Sequence, residues 1–343
     1  MTTHRIRAVV TTVALVSGLL LAPAVPVADA ATGITVGTCT LRTGDQQLPV
    51  TYDGRTYQVL THVPARLAAT RALVISMHGA TQSGPMMRDS SGMNASSDKH
   101  GYAVAYPTGG YFNLGFDLPA GNFWNVDGLP LFKIPPPPTS REDTRFVVAI
   151  AHQLTRALCL DRRRIYATGA SNGGIMSSYL ACHDADVFAA VAPVMGVRAG
   201  KATGSDFQTI DTADCRPSRP IAILALHGMK DPVLPYAGQK GGGVWGPAWG
   251  YPVEAAIARW VKLDGCTSGP VRTTVSPTIS RRVWSGCPGN VTVQAMISTK
   301  AGHSWWGHPT PVPFNFVAGP DDLSADANEL IWAFLSRYRL PAN

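Results

Sequence analysis

Seven short apolar runs punctuate the chain, at Tyr57–Val63, Ala72–Met77, Tyr102–Tyr106, Arg164–Thr168, Ala189–Val194, Ile221–Leu226 and Val291–Ile297. Helical stretches fall among them near 85–99, 142–159, 173–183 and 251–264, with a last one at 325–338. In that last stretch Leu330, Ile331, Phe334, Leu335 and Tyr338 share one face, and Ser324 stands where a helix cap belongs. Strands that alternate with helices predict an α/β fold with a mostly parallel sheet and helices on both faces. No linker interrupts the pattern and no internal repeat is visible, so one domain over residues 31–343 is expected. With 45% hydrophobic and 15% charged residues among 343, the chain can bury a large core, which excludes a disordered protein. The 34 Gly and 27 Pro follow no triplet period, so the chain is not collagen-like.

Residues 1–30 read as a signal peptide rather than as part of the fold. Arg5 and Arg7 precede a mostly apolar stretch from Ala8 to Val27, and Ala28-Asp29-Ala30 supplies a cleavage site. A secreted, extracellular protein is therefore expected, without a stable membrane anchor. The six cysteines, at 39, 159, 182, 215, 266 and 287, all follow the leader, and an even count in an exported chain points to disulfides. Cys266 and Cys287 flank a stretch that reads as two strands and should pair. Cys182 ends the helix near 173–183 and Cys215 precedes a strand, so sheet neighbours could join them. Cys39 and Cys159 are then left for each other. The formal net charge is +7, with clusters at Arg162–Arg164 and Arg281–Arg282. No nucleic-acid motif accompanies it, so a solvated basic surface on a monomer is expected, with no nucleic-acid partner.

The chemistry centres on Gly169-Ala170-Ser171-Asn172-Gly173, which matches G-x-S-x-G between a predicted strand and a predicted helix. A sharp strand-to-helix turn there would expose the Ser171 hydroxyl as a nucleophile. A serine needs a base, and the base needs an orienting acid. Asp231 follows the run Ile221–Leu226, and His303 follows Val291–Ile297, so Ser171, Asp231 and His303 occur in the chain order this turn requires. His227 precedes the acid and breaks the order, and His308 lies deeper in a Pro-rich loop. The backbone N–H of Asn172, next to the nucleophile, is one expected oxyanion donor. The other is that of Ala80, in the loop after Ala72–Met77. His78, in the same loop, reads as a side chain that fixes it. Three long connections, 107–140, 227–250 and 298–320, collect many aromatic residues. Trp124, Trp249 and Trp305 are taken from them as candidate substrate contacts in a cleft. No cofactor and no metal is called for by this chemistry, and no cysteine or histidine spacing suggests one.

Four segments together resemble secreted polyhydroxybutyrate depolymerase-like esterases. They are Met77-His78-Gly79-Ala80-Thr81-Gln82, Gly169–Gly174, His227-Gly228-Met229-Lys230-Asp231-Pro232 and Gly302-His303-Ser304-Trp305. Val187–Pro193 and Phe123-Trp124-Asn125 add to the match, which spans roughly residues 50–310. Feruloyl and acetylxylan esterases of the same broad group are similar. The resemblance implies an α/β-hydrolase fold for residues 31–343. It also implies ester hydrolysis by Ser171, His303 and Asp231, on a polyhydroxyalkanoate polyester or its oligomers, with a feruloyl or acetylxylan ester as the alternative. Those depolymerases often carry Cys where this chain has Ala80, a change that leaves the backbone N–H in place. Ser140-Arg141-Glu142-Asp143 stands where they have an acidic pair. A serine peptidase with the same triad, or a binding protein that has lost catalysis, are the readings from other classes.

Overall fold

A computed structural model describes residues 33–36, 39–112, 121–126, 140–242, 249–311 and 315–342. These all fall within Thr32–Asn343, so the expected leader at 1–30 lies outside them. The main sheet has ten strands: β1 (Gly44–Tyr52), β2 (Arg55–Val63), β3 (Leu73–Met77), β4 (Ala103–Tyr106), β5 (Ile165–Ala170), β6 (Ala190–Val194), β7 (Ala222–Gly228), β8 (Ser268–Thr274), β9 (Ile279–Ser285) and β10 (Val293–Ser298). Their spatial order is β8-β9-β10-β7-β6-β5-β3-β4-β2-β1. The pairs from β4 to β10 through the centre are parallel, and the hairpins β1–β2 and β8–β9 add antiparallel edges. This is the α/β-hydrolase fold.

The helices are α1 (Gly84–Ser91), α2 (Met93–His100), α3 (Asp143–Ala157), α4 (Asn172–His183), α5 (Val253–Leu263), the four-residue α6 (Asn315–Ala318) and α7 (Ala327–Leu335). Side chains of a strand point alternately to the two faces. In β3, Leu73, Ile75 and Met77 join a core with residues of α3, α4 and α5, while Val74 joins a second core with α1, α2 and α7. The central strands are therefore buried at nearly every position and mostly apolar, as a sheet covered on both sides requires.

The single helix expected near 85–99 is two. Ser83 caps α1 through its side chain, and Pro85 occupies the first turn. Gly92, at φ 60°, then ends α1 and starts α2. Its ideal Cβ would come within 2.7 Å of the His308 ring, so the break needs glycine for space as well as for backbone angle. The pairs Cys39–Cys159, Cys182–Cys215 and Cys266–Cys287 are all disulfide-bonded. Among the described residues no helix is long and apolar enough to cross a membrane.

Candidate active site

Ser171 lies between β5 and α4 with φ 55° and ψ −116°, a conformation few side chains tolerate. Its N–H donates to the Val194 carbonyl at 2.9 Å, and its carbonyl accepts from Ile175 N–H at 2.9 Å, so both sides of the turn are fixed. An ideal Cβ on Gly173 would stand 2.2 Å from the Met77 carbonyl oxygen, and one on Gly169 would stand 2.6 Å from it. Only glycine lets α4 approach β3 so closely. The G-x-S-x-G pattern is therefore a statement about backbone clearance as much as about the serine.

Asp231 and His303 come to the same end of the sheet because β7 pairs in parallel with β10, with Gly228 opposite Ser298. Each side chain follows its strand by a few residues. His303 Nδ1 and Asp231 Oδ2 are 2.8 Å apart. The other carboxylate oxygen accepts from Val233 N–H at 2.9 Å and Leu234 N–H at 2.8 Å. Burial alone would raise the Asp231 carboxyl. The charge and hydrogen bond of His303, with help from His227 and Leu234 N–H, outweigh it and hold the group below its ordinary value. Asp231 is thus an ionised, immobilised partner for the ring.

Of the other histidines weighed in the sequence, His227 and His78 are held neutral by burial. His227 lies behind Asp231, 3.5 Å from Oδ2, and donates from Nε2 to the Leu234 carbonyl at 2.8 Å. Its pKa is pushed down to about 4, chiefly by loss of solvent. His78, also near 4 for the same reason, donates from Nδ1 to the Gly79 carbonyl and accepts Gly109 N–H at Nε2. It fixes the loop before Ala80, as its position in the sequence suggested. Gln82 Oε1 accepts from Gly79 N–H at 2.9 Å, and an ideal Cβ on Gly79 would lie 3.6 Å from Ser171 Cβ. The loop is thereby pinned over the nucleophile. Asn172 opens α4, where the first N–H groups have no intrahelical acceptor.

A cavity of about 240 Å³ opens over Ser171, His303 and Ala80. Its walls are mostly apolar, among them Met87, Met195, Val233 and Trp305, with Ser90 and His308 supplying polar groups. Of the three tryptophans expected at the substrate, Trp305 lines the cavity, and Trp124 and Trp249 do not. Trp124 is 1% exposed. It donates from Nε1 to the His78 carbonyl at 2.9 Å and through its backbone N–H to Asn172 Oδ1 at 2.7 Å. Trp249 is fully buried between the Arg198 guanidinium, 3.3 Å from its ring, and the His227 imidazole, and donates to the Pro235 carbonyl. Both rings brace the loops that hold site residues. A loop tryptophan had two ways to satisfy its N–H, and here buried carbonyls supply the partner. Phe116, Trp245 and Phe314, aromatic residues of the same three long connections, lie outside the described residues. Met87, Met195 and Val233 were not singled out in the sequence, where an isolated apolar residue carries no signal of facing a site. Among the described residues no group of three His, Cys, Asp or Glu side chains is placed to hold a metal ion.

Residues 141–215 match the sequence profile of the Prolyl oligopeptidase family. Over 198 residues the chain is 32% identical to feruloyl esterase B of Piromyces equi, covering 56% of this chain but only 33% of that protein. It is 28% identical over 274 residues to NocK, an esterase candidate of Nocardia uniformis subsp. tsuyamanensis, covering 76% and 73% of the two chains. The chain thus spans about one third of the length of the first of these relatives. The structure of an acetyl xylan esterase from Aspergillus awamori superposes with a TM-score of 0.50 at 16% identity, covering 72% of this chain and 89% of that one, which shows the shared fold.

Proposed function

We propose that the protein is a serine ester hydrolase. The observation that carries this is the strained Ser171 turn sharing one apolar cavity with a His303 ring held at 2.8 Å by a buried carboxylate. Ser171 Oγ attacks the ester carbonyl while His303 Nε2 takes its proton. The N–H groups of Ala80 and Asn172 receive the oxyanion. His303 then protonates the leaving alcohol, and water releases the acid by the same steps in reverse. Asp231 keeps Nδ1–H directed at itself, so that Nε2 is free to act as base. The names of both relatives support ester substrates over peptides.

The substrate we assign is a hydroxyalkanoate polyester or its oligomers, on the four motifs and on the apolar cavity walls. A hydroxycinnamoyl ester is the second reading, favoured by the relative named feruloyl esterase B. The three disulfides support export. The test is a panel of p-nitrophenyl esters, amorphous polyhydroxybutyrate, methyl ferulate and acetylxylan, with a matched amide beside one ester. Ser171→Ala should lower kcat by about 10⁴-fold or more with the fold unchanged, and should abolish fluorophosphonate labelling. Turnover close to wild type in that variant defeats the proposal.

A further inference from the structure

One buried amide ties three walls of the cavity together. Asn328, the second residue of α7, is 1% exposed. Its Oδ1 accepts from Trp305 Nε1 at 3.0 Å. An indole N–H only donates, so this bond fixes which end of the amide is oxygen. Nδ2 then donates to the Ser91 carbonyl at 2.7 Å and to His308 Nε2 at 3.0 Å. Ser91 ends α1, where carbonyls lack intrahelical donors, and Asn328 supplies one across 237 residues of sequence. Its own backbone is fixed as well, because Asn328 N–H donates to the helix-capping Asp326 Oδ1 at 2.8 Å.

Each of those partners leads to the cavity. Met87 and Ser90 of α1, Trp305 and His308 all line it, while Asn328 does not. The His308 ring is further wedged against Gly92, at the junction of α1 and α2. A polar group buried at such a node is costly unless every bond is made, and here each is made to a different wall.

Resting on the ester-hydrolase reading above, we propose that Asn328 is a positioning residue that sets the cavity's shape for the larger part of the ester. An acetyl group fills little of a 240 Å³ cavity and meets few of these walls. A chain of several carbons must pack against them. Asn328 therefore governs the preference for long over short esters without touching the reacting atoms.

The test compares p-nitrophenyl acetate with p-nitrophenyl octanoate in wild type, Asn328→Ala, Asn328→Asp and Trp305→Phe, each checked for fold by circular dichroism. Asn328→Asp keeps the size of the side chain but sets an oxygen against the Ser91 carbonyl. In the Asn328 variants kcat/KM on acetate should stay within about twofold of wild type, and kcat/KM on octanoate should fall about tenfold or more, through KM. A role in stability alone lowers both substrates in proportion and leaves their ratio fixed. Should Asn328→Ala fail to fold, Asn328→Asp and Trp305→Phe cut the same node from its two ends, and each should lower the octanoate-to-acetate ratio. An unchanged ratio, with wild type active, overturns the role of Asn328 alone. No turnover of either ester by wild type overturns the ester-hydrolase reading, and this inference with it.

Discussion

Gly173 and Asp264 show how single positions are constrained. An alanine methyl at 173 would collide with the backbone carbonyls of Met77 and His78, at 2.2 and 2.6 Å. Backbone cannot swing aside as a side chain can, so Gly173→Ala should cost at least about 2 kcal/mol in urea unfolding. Gly44→Ala is the control. It has nothing within 4 Å, and its φ of 84° alone should cost about 1 kcal/mol. Asp264 is a buried carboxyl whose Oδ1 accepts Ile221 N–H, while Oδ2 has no partner among the described residues. Burial raises its pKa to about 7, above the unfolded value, despite Ile221 N–H and Arg219. The folded protein therefore holds a proton that the unfolded chain releases. The stabilisation from that proton is complete below about pH 4 and is lost as pH rises through 7. Asp264→Asn keeps the Ile221 bond and has no such dependence. Its stability relative to wild type should rise between pH 4 and 8, by up to about 4 kcal/mol. Parallel unfolding curves at both pH values would disprove this.

One acid helps to hold the segment that delivers His303, beside the backbone bonds from Gly302 N–H to the Pro320 carbonyl and from His303 N–H to the Ala318 carbonyl. Asp322 Oδ2 accepts from Thr278 Oγ1 at 2.7 Å and Ser298 Oγ at 2.5 Å, and Oδ1 accepts from Ser324 N–H and Oγ at 3.1 and 2.6 Å. Ser298 Oγ in turn accepts from Ala301 N–H at 2.8 Å, two residues before the base. Asp322→Ala should therefore lower stability by about 2–3 kcal/mol and lower kcat, because His303 loses its support. Wild-type kcat in a folded variant would show that the backbone bonds of Gly302 and His303 suffice to place the base. In the sequence Asp322 is ruled out as the triad acid because it follows His303, and nothing there signals its support role, which depends on Thr278, Ser298 and Ser324 meeting in three dimensions. The seven apolar runs became strands because strands buried in the sheet are mostly apolar: six form its parallel centre, and β2 pairs antiparallel beside it with its second half buried. β1 escaped that reading for the opposite reason. It is an edge strand whose side chains alternate between exposed and half-buried positions, Val50 alone being fully buried, with Pro49 in the middle. Ser171, Asp231 and His303 were legible because their roles depend on chain order around a strand end. Apart from Trp305, the cavity walls were not, because Met87, Ser90, Met195, Val233 and His308 meet only in three dimensions.

Across the whole molecule, the disulfides close loops of different length. Cys39–Cys159 spans 120 residues and Cys266–Cys287 spans 21. If loop entropy dominates, replacing the first pair by serine should cost roughly 1.5 kcal/mol more than replacing the second, measured by denaturant midpoint. Equal losses would assign the stabilisation to local packing instead. The sheet carries a different kind of independence. β7 and β10 are neighbours, so the distance from Asp231 to His303 depends on one strand pair and its register. The hairpin β8–β9 leaves from that pair and returns to it, extending the sheet outward at its edge. The β8–β9 turn nevertheless carries Thr278, whose hydroxyl donates to Asp322, so a module grafted at this turn would have to leave Thr278 in place for the base to keep its footing.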